Sequence, residues 1–208
     1  MLRSSSMGLL RRAALGLVLF VAAAAHDAAA SVSIAIPFDA LVGESSAAAV
    51  ITPVTQTSLW QGGRIFTYTD VHVDQGVAGA ALPESITVRT MGGDVGNIGQ
   101  AVEGEAVLTV GRPSLLFLHP ASAISGDDGT GLTSHAATYV VTARAQGQFA
   151  VVADAQGELR VRRSSAVGAL VAPRGSTAPV MAGDALHGNK VNDARDAILR
   201  VWSRVHAP

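Results

Sequence analysis

Residues 64–74 (RIFTYTDVHVD) alternate without a break. Ile65, Thr67, Thr69, Val71 and Val73 fall on one face; Arg64, Phe66, Tyr68, Asp70, His72 and Asp74 fall on the other. A two-residue period predicts a strand with one face in a core. Residues 85–91 repeat the pattern, with Ile86, Val88 and Thr90 inward and Thr87 and Arg89 outward. Two other runs are apolar: 47–52 (AAAVIT), which predicts a buried strand ending at Pro53, and 114–119 (SLLFLH), a central strand closed by Pro120. A short strand is expected over 106–110 and three more over 138–143, 148–153 and 158–163. The last two join through Asp154-Ala155-Gln156-Gly157, a hairpin connection, with Leu159 and Val161 inward.

Between these runs the chain is punctuated by turns. Residues 58–63 (SLWQGG) read as a turn, 76–83 as a loop, and 92–104 as a long loop with five glycines. Residues 121–134 read as a further loop and 171–188 as irregular. Helical spacing occurs in two places. Residues 39–46 after Pro37 predict a short helix with Leu41 and Val42 inward. Residues 192–205 predict the main one, with Val191, Ala194, Ile198, Val201, Trp202 and Val205 in one stripe. Asn189 or Asn192 would cap it, and Arg200 and Arg204 suit its C-terminal end. The fold expected is mainly β, an OB-like barrel or small β-sandwich, with a C-terminal amphipathic helix. The organisation expected is a signal peptide over 1–30, a β-barrel domain over 31–165, an irregular linker over 166–190, and a helix over 191–206 packed on the domain.

The signal peptide rests on three features. Arg3, Arg11 and Arg12 form a basic start without acidic residues, 13–25 is apolar throughout, and Ala28-Ala29-Ala30 places small residues before the preferred cut at Ala30, with Ala23-Ala24-Ala25 before His26 as a second candidate. Thirteen apolar residues are too few for a membrane span, which needs about 20. The expected product is therefore soluble, secreted or periplasmic, with no membrane attachment after cleavage. With no cysteine in the chain there is no thiol to acylate, no disulfide and no thiolate ligand.

Charge narrows the partners. The whole chain carries −1, and loss of three arginines and Asp27 with the signal peptide makes it −3. An acidic balance disfavours nucleic acid. Arg160, Arg162 and Arg163 read as a solvated strand face.

Catalytic signatures are missing. His72, His119, His135, His187 and His206 have no paired-ligand spacing. There is no nucleophile elbow, since Pro113 precedes Ser114 and a strand follows. Residues 93–99 are glycine-rich but lack the Lys-Ser/Thr of a phosphate loop. Asp127 and Asp128 lack the spaced ligands of a calcium loop. Neither metal nor cofactor is expected. Aromatic residues are only 4% of the chain, which makes Trp60, Phe66 and Tyr68, gathered near one turn and strand, the candidate recognition patch.

The run Ser58-Leu59-Trp60-Gln61-Gly62-Gly63-Arg64-Ile65-Phe66-Thr67-Tyr68-Thr69 resembles a group of exported bacterial proteins of unassigned function. Val71, Val73, Gly92-Gly93, residues 111–118 and Gln146-Gly147-Gln148-Phe149 continue the resemblance, which spans 38–152. The order of elements is also similar, distantly, to the OB-type barrel of netrin-like modules and tissue inhibitors of metalloproteinases. Those inhibitors act through an N-terminal cysteine, so their mechanism does not transfer to a chain without cysteine. The function expected is that of an exported, non-enzymatic binding or interaction domain for a protein or small ligand. Its alternatives are an exported hydrolase or metal-dependent enzyme whose site assembles only in the fold, and a structural envelope or surface component.

Overall fold

Two long strands set the frame, and their length comes from glycine and proline placed where strands tolerate them. In the computed structural model, which describes residues 32–122, 137–172 and 181–207, β1 is Val32–Ile34 and α1 is Phe38–Gly43. β2 then runs through Ala47–Gln61 and β3 through Arg64–Gly79, joined at Gly62-Gly63, both at positive φ. Residues 58–61, expected as a turn, are thus strand, and the turn is only Gly62-Gly63. The strand also passes through Pro53, where it was expected to stop. A register shift lies between Pro53 and Thr55, so the proline sits at a bulge, the one interior site where a missing N–H is tolerated.

β4 is Ser85–Met91, with Ile86, Val88 and Thr90 buried as the alternation requires. Residues 92–104, expected as loop, contain a small hairpin of β5 (Gly93–Val95) and β6 (Ile98–Gln100). Residues 106–110, expected as a strand, are irregular, yet Ala106 and Leu108 are buried. Gln148 explains this: its side-chain amide accepts from the Val107 N–H and donates to the Val107 carbonyl, satisfying that backbone as a neighbouring strand would.

β7 (Ser114–Pro120) is the central strand, β8 is Thr138–Val141, β9 is Gln148–Ala153 and β10 is Leu159–Arg163. The sheet order is β10-β9-β7-β2-β3-β4-β8, and β8 pairs with β7 as well as with β4. Each of β2, β3, β4, β8 and β7 therefore has two of the others as neighbours. The β4–β8 pair is parallel and the other four are antiparallel. β8 and β9 share one edge of β7. Between them Ala143 and Arg144 turn at positive φ, and Gly147 lies where a Cβ would stand 2.1 Å from the Thr142 carbonyl oxygen.

Alternation along β2 and β7 feeds two cores. Ala48, Val50, Leu115 and Phe117 join Phe149, Val151 and Val161 beneath the helices; Ala49, Ile51, Leu116 and Leu118 join Val71, Ile86, Val88, Leu108 and Val141 on the other face. At about 1.5–3 kcal/mol for each large side chain fully buried, these two strands contribute to both cores at once.

Residues 166–190, expected as an irregular linker, hold β11 (Ala169–Val171), parallel to β1, and α2 (Ala182–Leu186). Ala182 and Leu186 are buried in the helix-side core, so α2 is part of the domain. α3 (Val191–Val205) buries Ala194, Ile198 and Val201 as its stripe predicts. Lys190 occupies its N-cap position and no side chain caps it, contrary to the expected asparagine. Leu159, expected inward, is exposed at the start of β10. The expected cleavage site at Ala30, Asp127, Asp128 and His135 lie outside the described residues. Among the described residues no helix is long and apolar enough to cross a membrane.

Candidate functional site

The outer face of β2, β3 and β4 is built in rows, because unbroken register sets one residue of each strand beside the next. Leu59, Phe66 and Met91 make an apolar row. Thr57, Tyr68 and Arg89 make the next. Thr55, Asp70 and Thr87 make a third, in which Asp70 accepts from Thr55 Oγ1 at 3.0 Å and from Thr87 Oγ1 at 2.8 Å. Opposed side chains within a row are close enough to interact across strands.

Phe66 and Tyr68 are half-buried. The Arg89 guanidinium stands 5.5 Å from the centre of the Phe66 ring and donates to the Ser122 carbonyl at 2.9 Å. A cation over an aromatic face stabilises by about 0.5–1 kcal/mol at an exposed site. The Tyr68 hydroxyl donates to Oε1 of the buried Gln61, which fixes the ring against β2. The face thus offers apolar area, a fixed cation and an oriented carboxylate within three adjacent rows.

The structure brings together two of the three aromatic residues singled out from sequence. Trp60 pairs with Ile65, and Phe66 pairs with Leu59, so Trp60 is on the opposite face of β2 from the Phe66–Tyr68 rows. It is exposed beside the Gly62-Gly63 turn. Arg89, Met91 and Leu59 join the site in its place. The outward position of Arg89 was legible in the alternation, but cross-strand register was not.

The described histidines are on separate elements. His72 lies 3.9 Å from both Asp74 and Glu84 on the exposed β3–β4 end. His119 Nδ1 is 3.1 Å from Thr142 Oγ1, His187 Nδ1 accepts from the Arg163 N–H, and His206 stacks on Trp202. Among the described residues no group of three His, Asp or Glu side chains could hold a metal ion.

Glu105 is the buried acid of the described chain. Burial pushes its pKa up, while the Ala106 N–H at 3.1 Å and Arg144 at 3.8 Å oppose that shift. Asp154 behaves in the opposite sense. The Arg160 guanidinium at 2.6 Å and the backbone N–H groups of Glu158 and Gln156 hold its pKa down. Both acids organise loops: Glu105 the segment beside the core on the face away from the helices, Asp154 the β9–β10 turn. No family model, curated protein or solved structure matches this chain.

Proposed function

We propose that the chain is an exported, non-enzymatic binding module built on an OB-type barrel. The observation that carries the reading is the circuit of pairings β2–β3–β4–β8–β7, with one parallel pair. Five strands so joined are what a five-stranded Greek-key barrel requires, and barrels of that type carry ligands on the face of their second and third strands. Here those are β3 and β4, which bear Phe66, Tyr68, Asp70, Arg89 and Met91. The apolar row supplies contact area for a planar or aliphatic group, and Arg89 and Asp70 give its polar substituents a direction. Export rests on the basic start, the apolar run 13–25 and the small residues before Ser31.

Two measurements test the reading. Protein recovered from the extracytoplasmic fraction should begin at Ser31; an intact N-terminus retained in the cytoplasm would remove export. Ligand fragments screened by two-dimensional NMR should shift signals from residues 57–59, 66–70 and 87–91. Phe66→Ala should weaken such a ligand about tenfold, as loss of a central aromatic contact does. Shifts confined to another face, or affinity unchanged in Phe66→Ala, would remove the site.

A further inference from the structure

A second surface has a different chemistry. β7, β9 and β10 present a face turned away from the helices, and register places Ser114, Ala150 and Arg162 in one row across it. One side is walled by the segment carrying Val107, Thr109 and Arg112, the other by residues 164–166 after β10. Between them lies an open groove of about 880 Å³. Arg112 and Arg162 line it, and no acidic or aromatic side chain does; Arg163, opposite Phe149 in the register, turns to the helix side, where it packs against Gly183. Thr109, Ser114, Ser164 and Ser165 add hydroxyls.

The arginines are available. Arg160, on the same strand, is held by Asp154 Oδ2 and by the Gly188 carbonyl. The guanidinium groups of Arg112 and Arg162 have no hydrogen bond or ion pair among the described residues. Arg112 and Arg162 are exposed. Two unpaired cations in one groove of a chain whose net charge is −1 stand without a counter-charge unless an anion enters.

We propose that this groove binds a segment of an anionic polysaccharide bearing carboxylate or sulfate groups. The planar guanidinium fork matches such groups bidentately. The serines and Thr109 suit sugar hydroxyls. The groove is wider than one anion needs and continues along the strands, which favours a polymer. An extended peptide could not add to β10, because that edge is already taken: Val161 N–H donates to the Asn189 carbonyl and Gly188 N–H to the Val161 carbonyl. With no aromatic side chain for stacking, recognition depends on charge. The groove shares no residue with the Phe66 face and is independent of it.

The test is binding of the processed protein to a hexamer of galacturonate and to a sulfated oligosaccharide of equal length, measured by calorimetry. Saturable binding to one or both, weakening as salt rises, is expected; the pair tells which anion is preferred. Arg112→Ala and Arg162→Ala should each weaken it about five- to tenfold, the scale of one exposed charge-assisted contact. Arg162→Lys, which keeps the charge but loses the fork, should recover only part. Phe66→Ala and Arg200→Ala, the latter removing an exposed arginine of α3, should change nothing. Circular dichroism checks that each variant is folded. The proposal is overturned by absence of saturable binding to both sugars, or by an equal loss in Arg200→Ala. It is overturned as well by polyglutamate binding as tightly as the sugars, which would make the partner an acidic peptide.

Discussion

Glu105 shows how one side chain can set a pH dependence. It follows Gly104, at positive φ, and precedes Ala106, which is buried in the core on the face away from the helices. Its side chain is only 10% exposed, and its pKa is raised by burial. A raised folded-state pKa means that ionisation costs more in the fold than in the unfolded chain. The stability it contributes is complete below the ordinary carboxylate pKa and is lost as pH rises through the folded value. Glu105→Gln keeps the hydrogen-bonding shape and removes the charge. The variant should be more stable than the parent at about pH 8, by on the order of 1 kcal/mol, with the gain disappearing near about pH 4. Thermal melts at the two pH values decide it; a loss at the higher pH would show that the Arg144 pairing outweighs burial. Asp154 works in the other direction. Its lowered pKa contributes stability above its unfolded pKa, lost as acid protonates it. Such couplings were invisible in the sequence, since neither acid is close to its cation in a recognisable motif.

At the level of elements, the contact of α3 with the sheet is decided by a glycine. Gly79 ends β3 at φ +84°, and a Cβ there would stand 2.3 Å from the Ser46 carbonyl oxygen and 2.5 Å from a ring carbon of Trp202. Gly79→Ala therefore combines backbone strain with displacement of the indole, and should cost about 2–4 kcal/mol. Gly76→Ala, three residues earlier with open space around it, should change stability by less than about 1 kcal/mol. Urea unfolding of both variants measures the difference, and equal stabilities would mean that Trp202 does not seat on β3. The helix itself was legible: the stripe of Ala194, Ile198 and Val201 is the buried one. So was β4, whose bounds and inward residues agree with the alternation. What failed was length and register. Pro53 seemed a terminator in sequence because a bulge is a tertiary event. Trp60 was grouped with Phe66 because a single chain does not reveal which residue faces which across a hairpin. Residues 166–190 looked irregular because their two short elements are held by partners remote in sequence, β1 and the helix-side core.

For the whole molecule, the placement of the cores determines how it should unfold. β2 and β7 supply alternate side chains to both cores, so neither core can be dismantled while the other keeps these strands intact. β7 is also the point where β8 and β9 share an edge, which ties the five-strand circuit to the β9–β10 extension. A molecule connected in this way should lose both cores in one transition, although each lies on a different side of the sheet. Native-state hydrogen exchange resolves the matter residue by residue. The amides of Ala48–Ile51 and Leu115–Leu118 that donate within the ladders should exchange only through global opening, and those of the three-residue pairings β1–β11 and β5–β6 through local opening. Leu116→Ala empties part of the core on the face away from the helices, and Phe117→Ala part of the helix-side core. Each should cost about 3–5 kcal/mol and speed exchange in both sets of slow amides equally. If Phe117→Ala instead releases β9, β10 and the helices while β3 and β4 stay protected, the two cores are separate cooperative units, and the shared strands join them in space without joining them in energy.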